Sequence, residues 1–371
     1  MHSDDKLAFY VPSLIIGGAE RVTVNLANEF VERGVDVDLI VSYRTGDLVD
    51  HVNDAVSIID LETPRVPIVG IAAGIPALVR YLRKEAPNVF FSQMHYANIV
   101  SIAAHTAAAT DTKLVLTEHN MFGSVRQPKD RLVFVLARRS YRYADHVLAV
   151  SEGVAESLRD EVAIPERKLS VIYNPVVTPT LRESAEASVE HPWLNSDDTD
   201  VVLSAGGMIE QKDFSTLLEA VAIALESRST LRLIILGEGP LRDALIRTAE
   251  ELDIGDRVSL PGYVDNQYSY MQNADVFALS SRWEGLPTVL IEAMACGTPV
   301  VSTDCRSGPR EILAGGEYGP LVPVGDAYSL AEGIEDVLRE PVPSSVLQDR
   351  ADDFTVEAII DEYEQLVDHL V

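Results

Sequence analysis

Short apolar runs alternate with longer segments of helical periodicity along most of the chain. Runs such as 7–11, 113–118 and 231–236 are too short for core helices, and they are apolar at almost every interior position. Strands that are buried on both faces, as in a parallel sheet, have this composition. The alternation of strands and helices predicts an α/β fold with parallel sheets.

One segment interrupts this pattern. Residues 175–199 are acidic, poor in apolar residues and include Pro192, which predicts a linker between two α/β halves, 1–174 and 200–354, followed by a last helix at 355–371. The predicted strands are 7–11, 35–41, 57–61, 88–93, 113–118, 146–151 and 169–173 in the first half, and 201–204, 231–236, 257–260, 276–280 and 300–303 in the second. Two halves of this kind predict a cleft, with ligands beyond the carboxyl ends of the strands.

The charge narrows the range of partners. Thirty basic and 58 acidic residues give a net charge of −28, which argues against nucleic-acid binding because that function needs a basic surface. An acidic surface around a well-patterned core is consistent with adaptation to high intracellular salt, where screening weakens self-repulsion. Two cysteines without metal spacing, no secretory signal and no membrane-length apolar run predict a cytoplasmic protein with at most peripheral membrane contact.

The stretch 281–292 carries the most chemical information. Glu284 lies in a loop after a predicted strand, and Glu292 lies on an otherwise apolar helix. A carboxylate on a buried helix is rarely left without a partner, and a ligand diol is a good candidate. Pro287 suits the first helical position, and the turn before Thr288 leaves N–H groups free for an anion. A diol, a phosphate and a carboxylate together suggest a nucleotide-sugar.

Glu284 and Glu292 also match the E-x7-E motif of the retaining family 4 glycosyltransferases, and the run up to Asp304 resembles that family almost continuously. The resemblance implies a GT-B fold, with two Rossmann-like parallel-sheet domains facing a cleft. It implies that Glu292 holds the ribose diol and that Glu284 acts at the transferred sugar. The further donor-binding residues implied are Gly17, Gly18, Gly237, Tyr263, Val264, Gly285, Leu286, Pro287 and Thr288.

The diphosphate site departs from the family at one position. Lys212 matches the family lysine that pairs with the donor diphosphate, and a fixed cation helps a leaving diphosphate to depart. Gly207 stands where most relatives have arginine, so one positive charge is missing. Arg310 is a candidate to replace it. The departure also keeps open a catalytically silent partner that binds nucleotide-sugar.

The first half holds a third catalytic candidate, His119, beside Glu284 and Lys212, and the candidates for the acceptor side. His119 follows a predicted strand, and its position resembles that of the family histidine near the transferred sugar. His95 and Asn98 lie at another strand-to-helix turn, where they either face the acceptor or cap the helix. Six basic residues gather between Arg126 and Arg142, including Arg138, and only Asp130 opposes them. This basic island predicts contact with anionic headgroups or a lipid-linked phosphate, or else a solvated face that pairs with acids elsewhere.

No zinc or two-metal pattern appears, and the Asp36-Val37-Asp38 run reads as a solvent-facing strand, so no catalytic metal or other cofactor is expected. The resemblance implies a retaining glycosyltransferase that moves a hexose-type sugar from a UDP- or GDP-sugar to a glycan or lipid-linked acceptor by front-face attack. A nucleotide-sugar epimerase of the same architecture is the second enzymatic alternative.

Overall fold

The computed structural model describes residues 5–15, 17–64, 72–122, 128–196 and 198–371, with the side chains of 128–133 excepted. Within these residues the chain forms two compact units. The first consists of Met1–Pro175 together with Val356–Val371, and the second of Val176–Thr355. Each unit contains one sheet, and every strand pair in both sheets is parallel. The predicted α/β class with two parallel sheets is therefore confirmed.

The first unit has a seven-stranded sheet in the order β3-β2-β1-β4-β5-β6-β7. Its strands are β1 Lys6–Val11, β2 Asp36–Val41, β3 Ser57–Asp60, β4 Val89–Gln93, β5 Lys113–Glu118, β6 His146–Ala149 and β7 Leu169–Val171. Its described helices are α1 Gly18–Glu32, α2 Ile75–Glu85, α3 His95–Ala108, α4 Pro128–Ser140, α5 Glu152–Val162 and, from the end of the chain, α14 Val356–Leu370.

The second unit has a six-stranded sheet in the order β10-β9-β8-β11-β12-β13. Its strands are β8 Asp200–Ala205, β9 Leu231–Leu236, β10 Val258–Gly262, β11 Val276–Leu279, β12 Val300–Thr303 and β13 Leu321–Val322. Its helices are α6 Pro179–Ala185, α7 Phe214–Leu225, α8 Arg242–Glu251, α9 Gln267–Asn273, α10 Thr288–Ala295, α11 Pro309–Ile312, α12 Ala327–Arg339 and α13 Ser344–Ala351.

Each sheet is covered by helices whose apolar faces it buries. In the first unit, Phe9 of β1 stacks on Phe91 of β4 with ring centroids 4.9 Å apart. Tyr363 of α14 packs on Phe91 at 5.8 Å, so the end of the chain completes the core of the first unit. In the second unit, α7 and α12 bury their apolar faces in one cluster with β8, β9 and β11. Burial on both faces explains why these strands carry continuous apolar runs.

The division into units falls close to the predicted boundaries at 174/175 and 354/355. The predicted linker does not stand apart from the units, because residues 176–199 belong to the second unit and contain α6. Thr178 caps α6 by accepting a hydrogen bond from the Leu181 N–H, and Pro179 suits its first turn. The acidic composition of residues 175–199 therefore gave no indication of this short capped helix.

One further local prediction is wrong, and another concerns residues outside the described part of the chain. Asp38 does not face solvent: it is 3% exposed, its Oδ2 lies 2.9 Å from Lys6 Nζ, and Tyr81 donates a 2.6 Å hydrogen bond to it. Two partners from neighbouring elements allow this carboxylate to be buried, whereas Asp36 is exposed as expected. Two prolines and two glycines predict a loop at 63–74, and residues 65–71 of this segment lie outside the described residues.

Candidate active site

The middle of the second sheet is the point where the strand order reverses. β8 and β11 are neighbours there, and the chain leaves them toward opposite edges. Such a switch point opens a crevice at the carboxyl ends of the two strands. The loops after β8 and β11 meet in it: Arg282 N–H donates to Gln211 O at 2.8 Å, and Gln211 Nε2 donates to Trp283 O at 2.9 Å. The predicted catalytic residues of the second half lie on these two loops.

Lys212 and Glu284 form an ion pair across this switch point. Lys212 Nζ lies 2.6 Å from Glu284 Oε1, and the two side chains are 15% and 7% exposed. Ser281 Oγ donates to the same carboxylate oxygen at 2.6 Å, and Gln211 Nε2 donates to the other at 3.2 Å. The structure thus brings together two of the predicted catalytic residues, and it adds Ser281 and Gln211 as supports. Charge-assisted hydrogen bonds of this kind fix the carboxylate in one orientation.

Glu292 occupies the buried position that the sequence predicts. It is 2% exposed on α10, and Gln267 Nε2 donates a 2.6 Å hydrogen bond to its Oε2. The expected partner therefore includes a protein side chain, which the sequence analysis did not identify. Pro287 lies one position earlier than predicted, as the N-cap of α10, so Thr288 is the first helical residue. A proline cap offers no side-chain acceptor to the first N–H groups of the helix, which leaves them to a ligand.

The remaining predicted donor residues of this half line the same edge of the sheet. Gly285 and Leu286 are buried in the loop between Glu284 and α10. Gly237 follows β9 with a φ of +117°, and a Cβ there would lie 2.3 Å from Gly206 O. Only glycine allows these two loops to approach so closely.

The two predicted donor residues that follow β10 differ in their exposure to solvent. Tyr263 is 66% exposed directly after the strand, and Val264 is half-buried beside it. An exposed aromatic ring at this edge is a surface on which a base could stack. The predicted set for the nucleotide therefore lies on one edge of one sheet.

Gly207 does not serve a tight turn. A Cβ at this position would meet nothing nearer than Glu238 O at 3.9 Å, so neither the backbone nor a close approach requires glycine there. Arg310, the candidate replacement, forms a bidentate ion pair with Asp304 and is 62% exposed. Its guanidinium is thus already paired with a carboxylate on the loop after β12. Among the described residues, Lys212 is the predicted diphosphate ligand that remains at the switch point.

The first sheet also reverses, between β1 and β4. Gly17 and Gly18 follow β1 and begin α1, with Gly17 as the N-cap. The Glu20 side chain folds back over Gly17, so that a Cβ at Gly17 would lie only 2.3 Å from Glu20 Oε2. Burial raises the pKa of Glu20. Gly17 thus leaves room for a buried carboxyl at the start of α1.

His119 lies just after β5 and is 9% exposed. Its Nε2 lies 2.7 Å from Gln93 Oε1, an arrangement in which Nε2–H is the donor. Burial lowers the pKa of His119 to about 4, so the imidazole is neutral at physiological pH. Its Nδ1 is buried and has no hydrogen-bond partner among the described residues. The ring therefore presents a neutral nitrogen with an unused lone pair.

Asn98 belongs to a buried network and does not cap its helix. Its Nδ2 donates to Thr117 O at 3.0 Å and to Glu118 Oε1 at 2.9 Å. Tyr141 donates a short hydrogen bond to the same Glu118 oxygen, and burial raises the pKa of Glu118. His95 Nδ1 lies 3.9 Å from the other oxygen of Glu118. The predicted acceptor pair thus shares one buried carboxylate, which the sequence did not single out.

The basic island is described only in part. Arg126 lies outside the described residues, as do the side chains of Lys129 and Arg131. Arg138 is exposed near the end of α4. It has no carboxylate partner in the described part of the chain, and its exposure agrees with a solvated helix face.

Neither a candidate metal cluster nor a membrane-spanning helix is found in the part of the chain that the structure describes. No group of three His, Cys, Asp or Glu side chains comes together as a candidate metal site among the residues that the structure describes. Likewise, no described helix is both long and apolar enough to cross a bilayer. Cys296 and Cys305 are buried thiols, and burial raises the pKa of each to about 12.

Two units, each with one parallel sheet covered by helices, agree with the GT-B fold that the resemblance implies. Known proteins agree with this class. The family model for glycosyl transferases group 1 matches residues 189–354, and that for Glycosyltransferase Family 4 matches residues 16–178. The chain belongs to this glycosyltransferase family and is therefore an enzyme, as the resemblance predicted.

Two relatives illustrate the similarity. The chain is 31% identical over 358 residues to LpsE of Rhizobium meliloti, a lipopolysaccharide core biosynthesis glycosyltransferase, and the match covers 95% of this chain and 96% of that protein. It is 29% identical over 347 residues, 90% of both chains, to a Campylobacter jejuni N-acetylgalactosaminyltransferase named for a diphospho-undecaprenol substrate.

Solved structures share the fold. HepE from Anabaena, in complex with UDP and glucose, superposes with a TM-score of 0.80 at 20% identity and covers 98% of this chain and 100% of its own. A sucrose-phosphate synthase from Thermosynechococcus elongatus gives 0.83 at 22% identity, with 99% of each chain covered. At these identities the likeness concerns the fold alone.

Proposed function

We propose that this glycosyltransferase moves a hexose-type sugar from a UDP- or GDP-sugar to a glycan or lipid-linked acceptor, with retention at the anomeric carbon. The observation that carries the proposal is the buried Lys212–Glu284 pair at the switch point of the second sheet. The complex of HepE with UDP and glucose and the Campylobacter jejuni enzyme that acts on a diphospho-undecaprenol substrate support the choice of donor and acceptor classes.

Lys212 would bind the donor diphosphate without releasing Glu284. An ammonium group has three N–H donors, and within the described residues Lys212 Nζ contacts only Glu284. Two donors are therefore left for phosphate oxygens. Negative charge grows on the diphosphate as the bond to the anomeric carbon breaks, so a fixed cation stabilises the transition state more than the ground state. The uncapped start of α10 would add backbone N–H groups.

The two glutamates would act on different parts of the donor. Glu292 would accept hydrogen bonds from both ribose hydroxyls, with Gln267 holding the carboxylate in place. Glu284 would accept from the sugar hydroxyls and is held by Ser281. In front-face attack, the acceptor hydroxyl bonds to the anomeric carbon on the side from which the phosphate leaves, and the leaving phosphate takes its proton. This route needs neither a covalent nucleophile nor, as we propose, a resident metal ion.

His119 and His95 belong to the first unit, and we assign His119 to the transferred sugar and His95 to the acceptor. Because burial lowers the pKa of His119 to about 4, its role would be that of a neutral hydrogen-bonding group that contacts the transferred sugar. It would not act as a cation at physiological pH.

A donor screen tests the proposal. The protein is incubated with UDP- and GDP-sugars at several salt concentrations, and thermal stabilisation and nucleotide release are followed. We expect one donor to raise the melting temperature and the Glu292→Gln variant to abolish that rise. Glu219→Gln, the same charge change at an exposed position of α7, serves as the control. Donor stabilisation that persists in the Glu292→Gln variant would refute the site.

A variant at Gly207 supplies a second arm of the test, which distinguishes a working catalyst from the silent-partner alternative. Because a Cβ there meets nothing nearer than 3.9 Å, Gly207→Arg should fold normally and bind the donor more tightly through the added cation. Binding and slow nucleotide release by the unaltered protein would indicate a working catalyst. If the unaltered protein binds the donor without releasing nucleotide and the Gly207→Arg variant gains nucleotide release, the unaltered chain is catalytically silent.

A further inference from the structure

Gln93, the last residue of β4, is a buried amide that the packing of the strand does not require. It is fully buried, as are the four residues before it, Val89–Ser92. Within the described residues its side chain makes one hydrogen bond, which its Oε1 accepts from His119 Nε2 at 2.7 Å, while its Nε2 has no partner. A buried amide with an unpaired N–H group destabilises a fold. An apolar residue would therefore suit this strand position better, unless the bond to His119 has a use.

The sheet holds Gln93 beside His119 on rigid elements. β4 is the central strand of the first sheet, and β5 is its parallel neighbour. In their register Gln93 is the partner of Thr117, two residues before His119. Residues two positions apart along a strand lie on the same face. The two side chains therefore meet through the strands themselves, and side chains placed in this way are held more precisely than those on loops.

The hydrogen bond determines which nitrogen of His119 carries the proton. A neutral imidazole has one N–H group and one nitrogen with a lone pair, and the partner of one nitrogen sets the state of the other. A carbonyl oxygen can only accept, so Gln93 Oε1 keeps the proton on Nε2 and the lone pair on Nδ1. Because burial lowers the pKa of His119 to about 4, the ring is neutral at physiological pH and exists as one of these two tautomers.

We propose that Gln93 is a positioning residue, which holds His119 in the Nε2–H tautomer so that Nδ1 accepts a hydrogen bond from a hydroxyl of the transferred sugar. Nδ1 has no partner among the described residues. A hydroxyl that donates to Nδ1 gains electron density on its oxygen, which favours the positive charge that develops on the sugar as its bond to the diphosphate breaks. The identity of the hydroxyl rests on the proposed function, whereas the tautomer exists without any ligand.

Nuclear magnetic resonance of the imidazole nitrogens tests the tautomer. The protein is labelled with ¹⁵N in its histidine rings, and long-range ¹H–¹⁵N correlation at neutral pH shows which nitrogen of each ring is protonated. The signals of His119 among the eight histidines are those that disappear in His119→Asn. We expect Nε2–H in the unaltered protein without any nucleotide-sugar. A proton on Nδ1 would overturn the proposal.

Two substitutions at Gln93 distinguish the effect of its oxygen from that of its volume. Gln93→Met keeps the length of the side chain but offers only a weakly accepting sulfur. The ratio of the Nε2–H to the Nδ1–H tautomer should then fall from about 10:1 to about 1:1, the change that one net hydrogen bond supports. Gln93→Glu keeps an accepting oxygen and should keep the proton on Nε2. An unchanged ratio in Gln93→Met would refute the role of Gln93.

Nucleotide release shows whether the tautomer matters to the reaction. With the donor that the screen identifies, Gln93→Met should lower kcat for nucleotide release at least about twofold, because about half of the rings then carry the proton on the wrong nitrogen. Thermal stabilisation by the donor should be unchanged, because Lys212, Glu284 and Glu292 lie on the second unit. Full nucleotide release in Gln93→Met, despite a changed tautomer ratio, would contradict the positioning role.

Ser92→Ala is the matched control. Ser92 is also fully buried on β4, and its hydroxyl is bonded to that of Ser101 at 2.8 Å, so the variant removes a buried polar group that has no hydrogen bond with His119. It should leave the tautomer ratio and nucleotide release unchanged, and melting temperatures check the folding of every variant. Failure of the donor screen would refute the proposed donor site without affecting the tautomer result. Conversely, a proton on Nδ1 would refute only the role of Gln93.

Discussion

The Lys212–Glu284 pair yields a quantitative prediction about stability. We consider Lys212→Met, which removes the cation but keeps the length of the side chain, Glu284→Gln, and the double variant. The pair is almost fully buried, with side-chain exposures of 15% and 7%, and its atoms are 2.6 Å apart. Breaking a buried ion pair by removing one partner costs about 3–5 kcal/mol, because the remaining charge is left without compensation.

The surroundings of the pair modify this magnitude. After Lys212→Met, Glu284 would keep its hydrogen bonds from Ser281 and Gln211, each worth about 1 kcal/mol. We therefore expect a loss of about 2–3 kcal/mol in the free energy of unfolding. Glu284→Gln leaves the more exposed partner and should cost about 1–2 kcal/mol. The double variant should be more stable than the sum of the single losses implies by about 1–2 kcal/mol.

Tryptophan fluorescence during urea unfolding measures these losses in the relevant unit. Both tryptophans of the chain, Trp193 and Trp283, lie in the second unit, so their emission reports the unfolding of that unit. The exposed pair Arg339–Asp336, with side chains 68% and 61% exposed, is the control. Arg339→Met should cost less than about 0.5 kcal/mol. Additive losses at Lys212 and Glu284 would show that the pair is not coupled, and the reasoning would fail.

Two further predictions concern backbone strain and pH. Gly237→Ala should destabilise the second unit by about 2 kcal/mol more than Gly315→Ala in urea unfolding. Both glycines have positive φ, but only at Gly237 would the added Cβ meet a carbonyl oxygen, Gly206 O at 2.3 Å. Equal losses would contradict this reasoning. His119 has a pKa of about 4 in the folded chain and 6.5 without burial, so its stabilising effect is complete above pH 6.5 and declines as the pH falls toward 4. Unfolding followed by circular dichroism should show about 2 kcal/mol less stability at pH 5 than at pH 7 from this residue, and His119→Asn should remove that part; an unchanged pH dependence in this variant would contradict the assignment.

The sequence predicted the sheets well because their strands are buried on both faces and carry continuous apolar runs. β13 was missed because Leu321–Val322 is only two residues long, too short for any periodicity. The burial of Asp38 was missed for another reason. Alternation along β2 cannot reveal that Lys6 and Tyr81 come from neighbouring elements to pair with it.

The candidate site shows the same limit. Glu284 and Glu292 could be found because they lie in a motif with fixed spacing, and Lys212 because it matches the lysine of the family resemblance. Gln267 could not, because its contact with Glu292 depends on how α9 packs on α10 and not on any local pattern. Gln211 is adjacent to Lys212 in the chain, yet its bonds to Trp283 and Glu284 follow from the meeting of two loops.

The two switch points differ in how completely their polar groups are satisfied. In the second unit, the carboxylates of Glu284 and Glu292 already have protein partners. In the first unit, Gln93 Nε2, Asn98 Oδ1 and His119 Nδ1 are buried without a hydrogen-bond partner among the described residues. A buried polar atom without a partner costs about 1–3 kcal/mol. Water or a substrate hydroxyl bound there would therefore contribute more stability than at the donor side. The predicted donor residues are therefore preorganised by protein side chains, whereas these buried polar atoms of the first unit gain most from what binds them.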